Sequence, residues 1–153
     1  MGDYMIKVVY VDDEPILRDA VKRTLEVDSD ISVTTFDNPK DALEYLKNNS
    51  VDAVVSDFMM EPEDGVSFLI KVRIFNPSLP FIILTGRSTE NVAIVALNED
   101  ADGFLKKGSV GVTMYKELGH MIRQSIEKRT SERSILKLKT YLVMLPPNTT
   151  TPE

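Results

Sequence analysis

Tyr4-Met-Ile-Lys-Val-Val-Tyr-Val-Asp-Asp-Glu-Pro15 is the stretch on which the fold turns. The run up to Val11 is apolar and rich in β-branched residues. It stops abruptly at two acids and then a proline, which reads as a buried strand, a loop and the first turn of a helix. Pro15 suits that turn because the N–H it lacks would have no partner there. Ile16, Leu17, Ala20, Val21 and Leu25 follow at helical spacing with Arg18, Asp19, Lys22 and Arg23 between them, predicting one packed face and one wet face.

The same unit recurs along the chain. Ile31 to Phe36 is a second strand, and Asn38, Pro39 and Asp41 supply a cap, a first-turn proline and a first-turn acid before Ala42, Leu43 and Leu46. Ala53-Val-Val-Ser56 runs into Asp57, and Asp64-Gly65 opens a helix carrying Val66, Phe68, Leu69 and Val72. Phe81-Ile-Ile-Leu84 runs into Thr85-Gly86, and Thr89-Glu90 leads a helix through Val92, Val95 and Ala96. Gly103-Phe-Leu105 ends at Lys106-Lys107-Gly108, before a long final helix from about Val112. Strands apolar on both faces, alternating with amphipathic helices, predict an α/β fold: an open, doubly wound (βα)5 parallel sheet covered on both sides.

Composition agrees. The 153 residues are 42% hydrophobic and 27% charged, as in one ordinary globular domain. No apolar run reaches the roughly 18 residues of a spanning helix, and the N-terminus is not patterned as a signal peptide, so a cytoplasmic protein without membrane contact is expected. Without cysteine, and with His120 as the single histidine, any metal must be a hard cation held by oxygen. The net charge of −6 argues against direct nucleic-acid binding. Residues 1–115 carry 11 basic and 20 acidic side chains, whereas residues 116–153 carry 7 and 4, so the C-terminal segment differs from the body.

In that segment Met114, Leu118, Met121, Ile122, Ser125 and Ile126 form a packing stripe, Glu127 to Ser134 is polar throughout, and Ile135, Leu138, Leu142 and Leu145 then follow an a/d spacing. The expected division is a body over 4–128, a helical extension or linker over 129–145, and a disordered tail over 146–153 after Pro146-Pro147.

In an open parallel sheet ligands gather beyond the carboxyl ends of the strands. That rim is where the polar residues fall: Asp12 and Asp13 after the first strand, Asp57 after the third, Thr85 after the fourth and the Lys106-Lys107 pair after the fifth. Three converging carboxylates raise one another's pKa unless a cation intervenes, and Mg2+ prefers such a shell of hard oxygens. A carboxylate beside the cation can attack phosphorus, with a lysine opposite and a threonine hydroxyl to receive the new phosphoryl group.

This set, in this order and at strand ends, resembles the receiver domain of two-component response regulators over about residues 4–128. The resemblance implies a flavodoxin-like strand order 2-1-3-4-5 with an extended C-terminal helix. It implies Asp57 as phosphoryl acceptor, Asp12 and Asp13 as the acidic pair for Mg2+ with Asp13 the more direct ligand, and the Met59 carbonyl completing the protein's share. It also implies Thr85 as switch hydroxyl, Phe104 as the aromatic that moves with it, and Lys107 rather than Lys106 as the essential lysine. Family members usually follow that lysine with a cis proline. Here Gly108 stands there, and since a cis bond before a non-proline costs about 2.5–4 kcal/mol, a trans peptide is expected. The loop Phe58-Met-Met-Glu-Pro-Glu-Asp-Gly65 carries its proline one place late but keeps the spacing to Gly65.

The expected function is phosphotransfer switching and not turnover of a substrate. A histidine kinase or phosphotransfer protein would be the donor, and a downstream protein or fused output domain the recipient of the signal. A homodimer would form through the fourth helix, fifth strand and fifth helix, where Val92, Ile94, Val95 and Leu97 lie, or through the C-terminal helix. A phosphorylation-independent scaffold is opposed by the intact rim. An aspartate-nucleophile phosphohydrolase is opposed by Glu14, which occupies the place of a second catalytic aspartate. His120 reads as a helix-surface residue, because the sequence after it lacks the acid and Thr-Pro of a phosphorylated kinase histidine.

Overall fold

The computed structural model describes residues 4–86, 95–96, 98–107 and 111–147. Its elements are β1 (Ile6–Val11), α1 (Pro15–Leu25), β2 (Ile31–Phe36), α2 (Pro39–Asn48), β3 (Ala53–Asp57), α3 (Gly65–Phe75), β4 (Phe81–Thr85), β5 (Gly103–Lys106) and α4 (Gly111–Met144). The strands form one sheet in the order β2-β1-β3-β4-β5, every pairing parallel, as expected.

Alternation along the strands divides the core between two faces. Val8, Tyr10, Val55, Ile82 and Leu84 pack with Val21 and Leu25 of α1 and with Met114, Leu118 and Ile122 of α4. Val9, Val11, Val54, Phe81 and Ile83 pack with Ala42 and Leu46 of α2 and with Phe68, Leu69 and Val72 of α3. β3 and β4 are buried along their whole length, which is why they read as continuous apolar runs.

The helix starts follow the local chemistry read from the sequence. Asn38 Oδ1 accepts from the Asp41 N–H at 2.8 Å and caps α2, and Asp64 Oδ1 accepts from the Ser67 N–H at 2.8 Å and caps α3. Ile16 departs from its expected packing role. It is 83% exposed, because the first turn of α1 stands beyond the end of β1 and no sheet lies beneath it.

α4 carries 34 residues, about 51 Å at 1.5 Å per residue. Met114, Leu118, Ile122 and Ser125 are buried as the stripe predicts, and from Thr130 to Pro147 every residue is exposed. The helix expected across Val92, Val95 and Ala96 lies mostly outside the described residues, as do Val92, Ile94 and Leu97 of the expected dimer face, the Lys107-Gly108 peptide and the tail from Asn148. Among the described residues no helix is long and apolar enough to cross a membrane.

Candidate functional site

The parallel register delivers the rim residues to one another. β1 and β3 end side by side, with Val11 opposite Ser56, and Asp57 lies opposite Leu84, so Asp12, Asp57 and Thr85 emerge from three adjacent strands. Thr85 pairs with Lys106 in the next ladder, and the Lys107 N–H donates to the Thr85 carbonyl at 2.7 Å, bringing Lys107 over the same edge. Carboxylate oxygens of Asp12, Asp13 and Asp57 all come within 4.8 Å of one another. Asp12 and Asp57 are buried, whereas Asp13 is exposed, so the group opens to solvent through Asp13.

Lys107 joins the two buried acids. Its Nζ is 3.0 Å from Asp57 Oδ1 and 3.1 Å from Asp12 Oδ2. Burial works against its charge, but Asp12 and Asp57 outweigh that and hold its pKa above the ordinary lysine value. Burial, followed by the charge of Asp12, pushes the Asp57 carboxyl up from 3.8 to about 6, although Lys107 and the Phe58 N–H, which donates to Oδ1 at 3.0 Å, act in the opposite direction. Two negative groups under one lysine are therefore incompletely neutralised, and this all-oxygen donor set would suit a hard divalent cation.

Thr85 is fully buried at the end of β4. Phe104 is half-buried against the α2–α3 side of the core, and Lys106 is exposed. Met59 is 54% exposed, two residues past Asp57. Gly65 is needed where it stands: a Cβ there would lie 2.4 Å from the Asp57 carbonyl oxygen, so α3 can pass this close beneath the loop only without a side chain. His120 is exposed on α4, away from the rim.

Sequence reading missed two contributors to the rim and one ionic cluster away from it. Tyr10, taken as an apolar strand residue, donates its hydroxyl to Asp12 Oδ2 at 2.5 Å, and burial together with the Asp12 charge pushes its phenol far above the ordinary range. Arg18 Nη1 donates to the Asp12 carbonyl at 2.7 Å. At the opposite edge of the sheet Asp102 holds Arg73 of α3 at 3.0 Å and Arg129 of α4 at 2.6 Å, inside the segment read as uniformly polar. Arg129 follows Ile122 by seven residues and Ser125 by four, so its place on the packing stripe was a usable signal.

Residues 8–119 match the response regulator receiver domain family. Response regulator Rre1 of Synechocystis sp. is 36% identical over 104 residues, covering 67% of this chain and 45% of that protein. Response regulator MprA of Mycobacterium sp. is 31% identical over 102 residues, covering 67% of this chain and 44% of that protein. The chain thus spans less than half the length of these relatives. Among solved structures, a response regulator receiver domain from Clostridium thermocellum superposes with a TM-score of 0.74 at 28% identity, covering 82% of this chain and 98% of that one. With the sheet order, the clustered rim and the match over residues 8–119 in agreement, the chain belongs to the response regulator receiver domain family of two-component signalling.

Proposed function

We propose that Asp57 accepts a phosphoryl group from the phosphohistidine of a histidine kinase or phosphotransfer protein. The observation that carries this reading is the Asp57 carboxylate at the end of β3, bridged by Lys107 to Asp12 with exposed Asp13 beside it. An Asp57 oxygen attacks phosphorus in line, the P–N bond to the donor imidazole breaks, and the imidazole nitrogen keeps the electron pair and takes up a proton. Lys107 holds the charge on the incoming group, and the Thr85 hydroxyl turns toward it, drawing Phe104 after it. Asp13 and Asp57, the Met59 carbonyl and, behind them, Asp12 would hold Mg2+, which when bound neutralises charge on the phosphoryl oxygens. The domain works as a switch in the cytoplasm and does not turn over a separate substrate.

Intact-mass measurement after incubation with acetyl phosphate and Mg2+ tests the reading. One added phosphoryl group is expected, absent with EDTA and absent in Asp57→Asn. No adduct even at the shortest times would favour a phosphorylation-independent scaffold.

The exposed Met59 side chain offers nothing to orient a hydrolytic water. Met59→Asn is accordingly expected to shorten the lifetime of the aspartyl phosphate about tenfold, equal to about 1.4 kcal/mol of barrier. An unchanged decay rate would remove Met59 from control of the lifetime.

The distal part of α4 presents Ile135, Leu138 and Leu142 to solvent, and Leu145 follows directly after its last residue, each of the four between 44% and 58% exposed. A helix with such a stripe serves as a linker to an output domain or pairs with a second copy, and the signalling face is formed by the helix expected across Val92 to Ala96, β5 and the start of α4. Truncation after Arg129 is expected to leave phosphoryl uptake intact and to abolish any dimer seen by sedimentation. Identical sedimentation of both lengths would exclude the extension as the dimer element.

A further inference from the structure

Tyr10 sits two residues before Asp12, so both side chains belong to the same face of β1 as it leaves the sheet. It is fully buried among Val8, Leu84, Leu105 and Leu118. Phenylalanine would fill that space as well, and a buried hydroxyl is tolerated only where it finds a partner. Its partner is Asp12 Oδ2, approached from within the core at 2.5 Å. The same oxygen receives Lys107 Nζ at 3.1 Å, while Oδ1 receives the Glu14 N–H at 2.9 Å. Three donors from three directions thus fix the plane of one carboxylate, and the phenol is the one that comes from the interior.

Without the hydroxyl, Oδ2 would keep Lys107 as its single donor. Asp12 could then swing toward the ammonium, and Lys107, shared at 3.0 Å with Asp57 Oδ1, could be drawn toward Asp12. Either motion disturbs the spacing of the carboxylate oxygens that a cation would bridge. Groups that orient metal-binding carboxylates in this way carry about 10–100-fold in metal affinity.

We propose that Tyr10 is a positioning residue for the divalent cation of this site, its hydroxyl holding Asp12 so that the acidic group is preformed before the cation arrives. The inference rests on the reading of the cluster as a Mg2+ site. It makes the tenth residue a determinant of cation affinity, although it touches neither the cation nor the phosphoryl group.

The test compares the unaltered chain with Tyr10→Phe, which removes one oxygen and keeps the ring, and with Tyr10→Leu, which also removes the ring. Magnesium chloride is titrated into each by calorimetry, and melting temperatures are read without metal and across the same Mg2+ range. Both variants are expected to bind Mg2+ about tenfold more weakly, with the Mg2+-induced rise in melting temperature displaced to correspondingly higher concentration. In metal-free protein Tyr10→Leu should melt below Tyr10→Phe, because only it opens a cavity. A purely structural tyrosine would lower the melting temperature and leave the Mg2+ affinity of Tyr10→Phe unchanged, and that result overturns the proposal alone. Absence of Mg2+ binding by the unaltered chain overturns the underlying reading and the proposal with it.

Discussion

Asp102→Ala is expected to destabilise the fold by about 3–5 kcal/mol, the cost of removing one partner from a buried ionic cluster and stranding the others. The Arg73 and Arg129 side chains are only 11% and 12% exposed, and both bind the Asp102 carboxylate, which is itself 4% exposed. Burial and the like charge of Arg129 already hold the Arg73 pKa below its ordinary value. Asp102 Oδ2 also accepts from the Phe81 N–H at 2.8 Å, so the substitution leaves the N–H of the first residue of β4 without that partner as well. Asp100, within 3.4 Å of Arg73 and 3.1 Å of Arg129, is too exposed to replace it fully and sets the lower end of the range. For a chain of this size the melting temperature should fall by about 6–20 °C. Phosphoryl uptake below the transition should persist, because the cluster lies at the edge of the sheet away from Asp57. A loss under about 1 kcal/mol would show that the cluster is a solvated surface pairing after all.

Asp57→Asn is expected to have the opposite sign at neutral pH. A carboxyl whose folded pKa is raised from 3.8 to about 6 binds its proton more tightly in the folded chain. Its favourable contribution is therefore fully present below about pH 4 and is lost as pH rises through about 6, at a cost of about 3 kcal/mol once deprotonated. Asparagine escapes that cost while Lys107 keeps Asp12 as a partner. Metal-free Asp57→Asn should consequently be more stable than the unaltered chain at pH 7.5 by up to about 3 kcal/mol, with the gap closing as pH falls toward 4. Mg2+ should narrow the gap at pH 7.5 by stabilising the unaltered chain more. Urea titrations at the two pH values read this directly, and a variant no more stable at pH 7.5 would mean that the buried pair is already neutralised within the site.

Both effects bear on what a sequence can disclose. The strands were legible because β3 and β4 are buried on both faces and so contain almost nothing but apolar residues until they meet the rim. The rim was legible for the same reason, since Asp57 and Thr85 close such runs and mark where the sheet ends. Asn38 and Asp64 announced their helices because capping is local. The Asp102 cluster left no such trace. Its partners lie 29 residues before and 27 residues after it, and arginines in polar company look solvated until the fold brings them together. Tyr10 was hidden differently: a phenol in an apolar strand counts as a hydrophobe, and its hydroxyl matters only because Asp12 follows two residues later on the same side. Ile16 misled because helical periodicity says which residues share a face and not how far the sheet beneath them extends.

The central claim is that one carboxylate of the three, Asp57, takes the phosphoryl group. It is tested most directly by treating the chain with acetyl phosphate and Mg2+, reducing the acyl phosphate with borohydride, and sequencing the peptides by mass spectrometry. Reduction converts a phosphorylated aspartate to homoserine and leaves free aspartates untouched. The account predicts homoserine at position 57 alone, with Asp12 and Asp13 recovered intact. Homoserine at position 12 or 13, or at none of the three, would contradict it.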